Sequence, residues 1–464
     1  MLDLAFLAFI GLVLALGLKR PFFWVLAYIY IDIVAPQKIS WGFLGALPVS
    51  LVAFVAAFAG WLLLDTKQGS RFSLRQALIL VLLGYCAFTT LTAAFPVEAL
   101  TKWDWVWKAL LFAAFLPLTL RTRLRIEAAA LVMVLAIGTI IINGGIKTVF
   151  GGGGYGELAL LVRNNTGLYE GSILSTAAIA TIPLALWLAR HGTIFKPEWR
   201  VYWFTAGLVF ACLIIPIGTS ARTGLVCAAA LGVLMLRSAR YRLVYGGVAA
   251  LALVAAIPFL PASYVQRMGT LTQTDSDQSA STRMQVWKWT LDYVKDRPLG
   301  GGFEAYLGNS FTYETRRTVG EGNNVAIDYE PVTDKARAYH SSYFEMLGEQ
   351  GWPGLFLWLW LQALGVWHME RLRWRYARRK GASENGSAED GRKSWQWGLA
   401  TALQQAQVIY LVGSLFVGIA FQPFIFMLIG LQCALWSYVR RTEAVPNKAV
   451  FKRPGSDKAL PATV

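Results

Sequence analysis

The sequence predicts an all-α polytopic membrane protein with about 12 (12–13) transmembrane helices and one large helical loop on the far side of the membrane. Hydrophobic residues make up 56% of the 464-residue chain and the mean hydropathy is +0.47, which is too apolar for a soluble globular domain. Apolar runs of roughly 17–24 residues recur and can cross a hydrocarbon core of about 30 Å. Basic residues cluster in alternate connections between these runs, a pattern typical of multi-pass proteins.

The apolar runs define the candidate spans. They lie at 2–18, 21–34, 43–64, 76–94, 105–120, 126–149, 171–190, 201–217, 221–237, 243–260, 351–369, 399–419 and 422–439. The first two of these thirteen runs are short and are separated only by Lys19 and Arg20, so we expect 12 or 13 crossings. Thirteen crossings start the chain on the far side, whereas twelve leave both termini in the cytoplasm.

The basic clusters predict the orientation of the spans. Connections that hold such clusters are cytoplasmic, so the loops at 150–170 and 261–350 lie on the far side. The clusters are Lys67/Arg71/Arg75, Arg121/Arg123/Arg125, Arg190/Lys196/Arg200, Arg237/Arg240/Arg242, the segment 370–393 and the C-terminal tail. The predicted division of the chain is an N-terminal transmembrane bundle (1–260), a loop domain (261–350), C-terminal transmembrane helices (351–440) and a cytoplasmic tail (441–464).

The net charge of +16 does not indicate a nucleic-acid partner. The 261–350 loop holds nine basic and twelve acidic residues, a net charge of −3, so the rest of the chain carries +19. This excess lies in the cytoplasmic connections, where it sets topology and attracts anionic lipid headgroups. The expected partner of the surface is therefore the bilayer.

The 261–350 loop is too long for a bare connection and should contain structure of its own. A helix is predicted from an N-cap at Ser281 to Pro298 and the glycines that follow. Its expected packing face contains Met284, Trp287, Leu291 and Val294. The polar stretch after it is expected to be irregular and to act as a lid. A second helix is expected to carry His340, Phe344 and Leu347 on one face, with Arg337 one turn before His340.

His340, one of three histidines in the chain, is therefore expected at the far-side boundary of the membrane beside Arg337. An imidazole has an ordinary pKa near 6.5, and a nearby guanidinium favours its neutral form, which a general base requires. The alternative is an interfacial histidine that hydrogen-bonds to the loop backbone. His191 and His368 lie beside cytoplasmic basic clusters and are interpreted as structural.

Arginines near the far side form the second signal. Arg222 stands between two apolar runs with no acidic residue nearby in the sequence, and an arginine at that depth is costly unless it has a function. Arg163 lies in a far-side loop, and Arg283 lies in the first turn of the loop helix, where the helix dipole disfavours a cation. A guanidinium offers a rigid fork of donors for phosphate oxygens. The alternative for each is a snorkelling or structural arginine.

Together these residues predict group transfer from a polyanionic leaving group at a membrane surface. Arginines would neutralise a diphosphate, and the histidine would take a proton from the attacking hydroxyl. No cofactor is expected. Asp275 and Asp277 form a DxD pattern, but they lie in a polar turn, and no paired acidic residues accompany them, so we expect metal-independent chemistry.

Three stretches resemble the O-antigen ligase/O-antigen polymerase superfamily of bacterial membrane proteins. They are "TSARTG" (219–224), "STRMQVWKWTLDYVKDRPLGGGFEAY" (281–306) and "HSSYFEMLGEQGWPGL" (340–355). Their order around one large loop carries the resemblance, which covers roughly 160–440. The N-terminal stretch 19–37 is also similar to O-glycosylation ligases associated with exosortase systems.

The resemblance implies a GT-C-like fold in the bacterial inner membrane, with the active site facing the periplasm. It implies a polysaccharide donor on undecaprenyl diphosphate and, for a ligase, a sugar hydroxyl of lipid A–core as acceptor. His340 matches the catalytic histidine of the family, and Arg222 and Arg283 match its arginines. Arg163 and Arg337 rest on topology and proximity alone. Direct displacement with His340 as base would invert the anomeric configuration.

Three other functions stay open. A polymerase of the same superfamily or a protein O-oligosaccharyltransferase would use the same donor with another acceptor. A transporter of polyanionic lipids is the least favoured, because transporters carry charged residues near mid-span and often have repeated halves. Here the charged residues lie at span ends and in one loop, and we find no internal repeat.

Overall fold

The computed structural model describes residues 2–39, 43–150, 167–237, 241–244, 246–247, 251, 278–319, 326–378 and 394–444. Up to residue 236 the described helices are α1 (Leu2–Lys19), α2 (Phe22–Val34), α3 (Pro36–Ile39), α4 (Val49–Leu63), α5 (Leu74–Leu91), α6 (Pro96–Thr119), α7 (Arg123–Phe150), α8 (Gly171–His191), α9 (Trp199–Gly218) and α10 (Arg222–Leu236), with 3₁₀ turns at Phe43–Ala46 and Gly167–Tyr169. Beyond them lie α11 (Gln278–Asp296), a 3₁₀ turn at Ala305–Gly308, strands β1 (Ser310–Val319) and β2 (Ala326–Lys335), and helices α12 (Ser342–Ala377), α13 (Trp395–Gly413) and α14 (Pro423–Ala444).

Many of these helices have the composition of membrane spans. Within the described ranges, six are long and apolar enough to cross a membrane: Phe22–Ile39, Leu74–Leu91, Arg123–Phe150, Gly171–His191, Trp199–Gly218 and Pro423–Glu443. Leu4–Lys19, Val49–Leu63 and Arg222–Leu236 are shorter apolar helices. These helices confirm a mainly helical, multi-pass membrane protein. The count of 12–13 spans and the GT-C-like fold stay predictions, and span 243–260 lies largely outside the described residues.

Helix α8 is the centre of the bundle. Almost every side chain from Ile173 to Ala185 is buried, and α7, α9, α10 and α13 pack around it. A helix that is apolar on all sides is stable only when neighbouring helices or lipid surround it. Helix α8 therefore fixes the positions of the helices that lead to the loops at both ends of the bundle.

The basic connections meet at one end of the bundle, called the basic end below. Arg121 and Arg125 both pair with Asp65, at 2.9 and 2.6 Å, and Arg237 and Arg373 both pair with Glu370, at 2.6 and 2.7 Å. A capping box between Ser73 and Gln76 starts α5 at the same end. This convergence agrees with the alternation of basic clusters in the sequence.

The large loop docks at the other end, called the loop end below, and its structure differs from the expectation in several respects. β1 and β2 form an antiparallel hairpin, with Ser310 opposite Lys335 and Val319 opposite Ala326, where an irregular segment was expected. The sequence did not reveal the strands because these residues are mostly polar and lack a regular alternation of apolar and polar positions.

The second difference is the packing face of α11. Met284 and Leu291 are exposed, and the buried positions are Thr282, Val286, Thr290 and Val294, so the expected face was wrong for two of its four members. The helix also begins at Gln278, before the expected N-cap. Two threonines in the buried face weakened the apolar pattern, and Thr290 satisfies its hydroxyl by donating to the carbonyl of Val286 at 2.7 Å.

A glycine-rich segment joins the loop to the bundle. Helix α12 is broken at Gly351, whose φ of 64° lies in the left-handed region that favours glycine. The segment 298–302 packs into this break: the N–H groups of Gly301 and Gly302 donate to the carbonyls of Gly348 and Glu349, at 3.0 and 2.9 Å. This contact places the first part of α12 at the loop end.

We predict that Gly351→Ala lowers the apparent melting temperature of the purified protein. An added Cβ would overlap the carbonyl oxygen of Pro298, and the positive φ strains any other residue, so the expected cost is at least about 2 kcal/mol. Gly84→Ala is the matched control, because a Cβ at this exposed position of α5 meets no atom within 4 Å. Equal melting temperatures for the two variants would contradict this account of the break.

Candidate functional site

His340 lies in a short segment, residues 336–341, between β2 and α12. It precedes the N-cap of α12, Ser341, and has a φ of 47°, so the expectation that it shares a helix face with Phe344 and Leu347 was wrong. The segment is held from both sides: Trp287 Nε1 donates to the carbonyl of Tyr339 at 2.9 Å, and the Asn309 amide bonds to both backbone groups of Arg337. His340 is thus positioned by packing rather than by a helix.

Two cavities meet at His340. The larger has a volume of about 410 Å³ and the smaller about 80 Å³, and His340, Arg283 and Ala338 line both. Arg337 and Thr282 line only the smaller cavity. The remaining residues around the larger cavity are mostly polar: Lys102, Glu170, Ser172, Ile173, Glu304, Tyr306, Tyr339, Glu345, Glu349, Phe416, Val417 and Gly418.

The surroundings of His340 favour its neutral form. The side chain is open to the cavities, but the protein around it removes much of its hydration, and the guanidinium groups of Arg283 and Arg337 add positive charge. Together they lower its pKa from 6.5 to about 4, with loss of hydration the largest cause. Because the ring is then unprotonated at neutral pH, it is available as a proton acceptor.

A buried ion cluster forms the far wall of the larger cavity. Lys102 Nζ donates to Glu345 at 2.7 Å and to Glu349 at 2.8 Å, and it lies 3.5 Å from Glu304. Glu349 is fully buried, so each charge depends on the others for compensation. We call these four residues the Lys102 cluster.

Several elements meet at the Lys102 cluster. Lys102 comes from the start of α6, Glu345 and Glu349 from the first part of α12, and Glu304 from the loop. Glu345 also accepts the N–H of Ala420, from the connection between α13 and α14, at 3.0 Å. The cluster therefore joins the loop to two parts of the bundle.

The sequence prediction missed the Lys102 cluster. Its signal was present: Glu345 and Glu349 lie four residues apart just before a span, where carboxylates need a partner cation. That partner comes from α6, 243 residues away from Glu345, which local patterns do not reveal.

The predicted arginines do not all reach the two cavities. Arg283 and Arg337 do. Arg222 begins α10 and is not among the residues that line either cavity, although the turn before it packs on the start of α8: Thr219 bonds to Ser175 at 2.9 Å. Arg163, like the Asp275/Asp277 pair, lies outside the described residues.

The other two histidines are at the basic end. The ring of His368 stacks on Trp436 with 4.2 Å between ring centroids, and the carbonyl of His191 accepts a hydrogen bond from Arg123 at 2.8 Å. Across the described ranges, no group of three or more histidine, cysteine or acidic side chains is arranged to hold a metal ion. The three glutamates of the cluster instead surround Lys102 Nζ.

Comparisons with known families find two matches along the chain. Residues 206–359 match a family described as O-antigen ligase. This match covers about a third of the chain and supports its membership of the O-antigen ligase/polymerase superfamily. The ligase match includes Arg222, Arg283, Arg337 and His340, whereas residues 1–193 match a family of unknown function, DUF5935. No curated protein matches the chain.

We predict that Lys102→Met destabilises the protein strongly, since it leaves buried carboxylates without their cation. The expected loss is about 3–5 kcal/mol, and adding Glu349→Gln should recover part of it. The matched control is Lys295→Met, which removes an exposed lysine 2.6 Å from Asp292 and should leave the melting temperature unchanged. Thermal unfolding of the four proteins measures this, and a Lys102→Met variant as stable as Lys295→Met would contradict it.

Proposed function

We propose that this superfamily member transfers a polysaccharide from undecaprenyl diphosphate to a sugar hydroxyl of lipid A–core, at the periplasmic face of the bacterial inner membrane. The O-antigen ligase match over residues 206–359 supports the reaction class. The observation that carries the proposal is the position of His340, a neutral imidazole between a larger cavity that holds several carboxylates and a smaller one lined by Arg337, with Arg283 lining both.

The two cavities differ in the charged residues that line them, so we assign one substrate to each cavity. Glu304, Glu345 and Glu170 line the larger cavity, which suits a hydroxyl-rich acceptor because carboxylates accept hydrogen bonds from sugar hydroxyls and repel a diphosphate. Arg283 and Arg337 face the smaller cavity, where paired guanidinium groups suit phosphate oxygens. The acceptor hydroxyl and the anomeric carbon then meet beside His340.

The proposed step is a direct displacement. His340 takes the proton of the acceptor hydroxyl while its oxygen bonds to the anomeric carbon. The bond from that carbon to the diphosphate oxygen breaks, and undecaprenyl diphosphate leaves with the bonding electrons. The arginines stabilise the charge that develops on the leaving group, so the step requires neither metal nor cofactor. Attack opposite the leaving group inverts the anomeric configuration.

After the step, the imidazolium of His340 faces the carboxylates that line the larger cavity. The low pKa of His340 favours release of this proton to solvent before the next turnover. Arg222 and Arg163 complete the proposal as diphosphate-binding residues. Arg222 would act from the start of α10, beside the α8 segment that contributes Glu170 and Ser172 to the larger cavity.

An O-antigen polymerase and a protein O-oligosaccharyltransferase are the alternatives, because each would use the same donor, histidine and arginines. They differ only in the acceptor that enters the larger cavity. A polyanionic-lipid transporter is the weakest alternative, since the Lys102 cluster lies at one end of the bundle rather than at mid-span.

We predict that the purified wild-type protein, given undecaprenyl diphosphate-linked glycan and lipid A–core, forms capped lipid A–core. His340→Ala should lower the rate by about 10²–10⁴-fold, the contribution of a general base. His191→Ala, a histidine at the basic end, is the matched control and should stay active. The rate is measured by gel mobility of the lipid A–core product at equal protein amounts.

The products of this assay distinguish the alternatives. Longer carrier-linked chains alone would indicate a polymerase, and transfer only to serine or threonine of an added protein would indicate an oligosaccharyltransferase. Retained configuration by NMR would exclude direct displacement, and activity that is lost in EDTA and restored by Mg²⁺ or Mn²⁺ would exclude the metal-independent step. A fully active His340→Ala variant would contradict the role of this residue.

We also predict that substitutions in the two cavities change the KM values of different substrates. Arg337→Gln should raise the KM for the donor about tenfold or more while leaving the KM for lipid A–core unchanged, since one charge-assisted contact to phosphate is lost. Glu304→Gln should raise the KM for lipid A–core and leave the KM for the donor unchanged. Steady-state kinetics with each substrate varied in turn measures both constants. If Glu304→Gln raises the KM for the donor instead, the assignment of the larger cavity is wrong.

A further inference from the structure

A second large cavity lies at the basic end, remote from His340. It has a volume of about 390 Å³ and lies between α7, α8 and α9. Its wall is nearly all apolar and consists of Leu131, Val134, Leu135, Ala185, Leu188, Ala189, Gly192, Phe195, Val201, Phe204 and Leu208, together with Thr205, Glu127 and Arg200. A cavity of this size is within the range of about 300–1,000 Å³ that small ligands occupy.

The shape of the cavity suits a chain that enters from the side of the bundle. Val134, Ala185 and Leu208 form its buried inner wall, whereas Phe195 and Phe204 at the rim are more than half exposed, at 57% and 51%. From Arg200 to Leu208 the cavity follows α9 for about 12 Å, at 1.5 Å of rise per residue. Because these walls offer few polar partners, they suit an apolar chain better than a polar ligand.

The mouth of the cavity carries positive charge. Arg200 is exposed at the rim, with its guanidinium 5.5 Å from the ring of Trp199, and it makes no ion pair with the residues that the structure describes. Lys196 is exposed in the connection between α8 and α9. The positive-inside rule assigns this end to the cytoplasmic leaflet, whose anionic lipids attract such residues.

Glu127, the acidic residue in the wall, does not neutralise Arg200. Its carboxylate is buried and accepts hydrogen bonds from the backbone N–H groups of Thr193 and Ile194, at 2.5 and 2.7 Å, and from the Thr193 hydroxyl at 2.6 Å. These bonds fold the α8–α9 connection across the end of the cavity. Glu127 therefore leaves the positive charge of Arg200 at the mouth, and the α8–α9 connection closes the opposite end of the cavity.

We infer that this cavity binds one acyl chain of an anionic phospholipid whose phosphate contacts Arg200. The apolar walls bury the chain, the guanidinium binds the phosphate, and Trp199 lies at the level of the headgroup. The lipid fills the space between α8 and α9. Since α8 begins beside Glu170 and α9 ends beside Arg222, the bound lipid stabilises the helices that lead to the candidate functional site.

Native mass spectrometry of the purified full-length protein tests the inference, with dioleoylphosphatidylglycerol and dioleoylphosphatidylethanolamine supplied in equal amounts. The wild-type protein should retain one phosphatidylglycerol at lipid concentrations where phosphatidylethanolamine is lost. Arg200→Gln should reduce this retention about fivefold, the effect of one basic residue at an anionic surface. Arg190→Gln, a nearby exposed arginine outside the cavity wall, is the matched control and should retain the lipid.

Two further variants test the cavity itself. Ala185→Phe fills the inner wall, and Leu135→Trp obstructs the rim at a position that is already 38% exposed, so the second variant should fold even if the first does not. Both should lose the lipid, whereas Ala363→Phe on the exposed side of α12 should keep it. Equal retention of both lipids, retention unaffected by Arg200→Gln and Leu135→Trp, or retention of added undecaprenyl phosphate instead would each overturn the inference.

Discussion

The ion cluster around Lys102 is the interaction on which the loop end of this protein depends. One ammonium group contacts three glutamates from two segments, and Glu349 and Glu345 have almost no contact with solvent. Charges in such an environment are stable only when paired, so the start of α6, the first part of α12 and the loop at Glu304 must meet. The larger cavity is bounded by this meeting point.

The second constraint is steric. The segment from Pro298 to Gly302 passes so close to the break in α12 that side chains at Gly300 and Gly351 would overlap the opposite backbone. Because glycine removes the Cβ and tolerates positive φ, the two backbones can exchange hydrogen bonds directly. This contact holds α11 beside residues 336–341 and so places Arg283 against His340.

Much of this arrangement could be predicted from the sequence, since apolar run length, basic alternation, His340 and the loop-helix arginine are all local features. The Lys102 cluster could not, because Lys102 lies 243 residues before Glu345 in the sequence. The left-handed conformation of His340 was also missed, since the loop polarity continues smoothly into α12 and hides the point where the helix begins. The hairpin went unrecognised because its strands lack an alternating apolar pattern. The Lys102 cluster, the conformation of His340 and the hairpin all depend on tertiary contacts, which local sequence patterns do not show.

The central claim is that His340 is a neutral base and that Arg283 and Arg337 beside it bind a diphosphate. With three histidines in the chain, ¹³Cε1-labelled histidine gives an NMR titration that His191→Ala and His368→Ala assign. The account predicts a pKa for His340 of about 4, well below 6.5. It also predicts that undecaprenyl diphosphate raises this pKa, because the bound anion offsets the charge of Arg283 and Arg337. A pKa at or above 6.5 in the free protein, or one that undecaprenyl diphosphate leaves unchanged, would contradict the account.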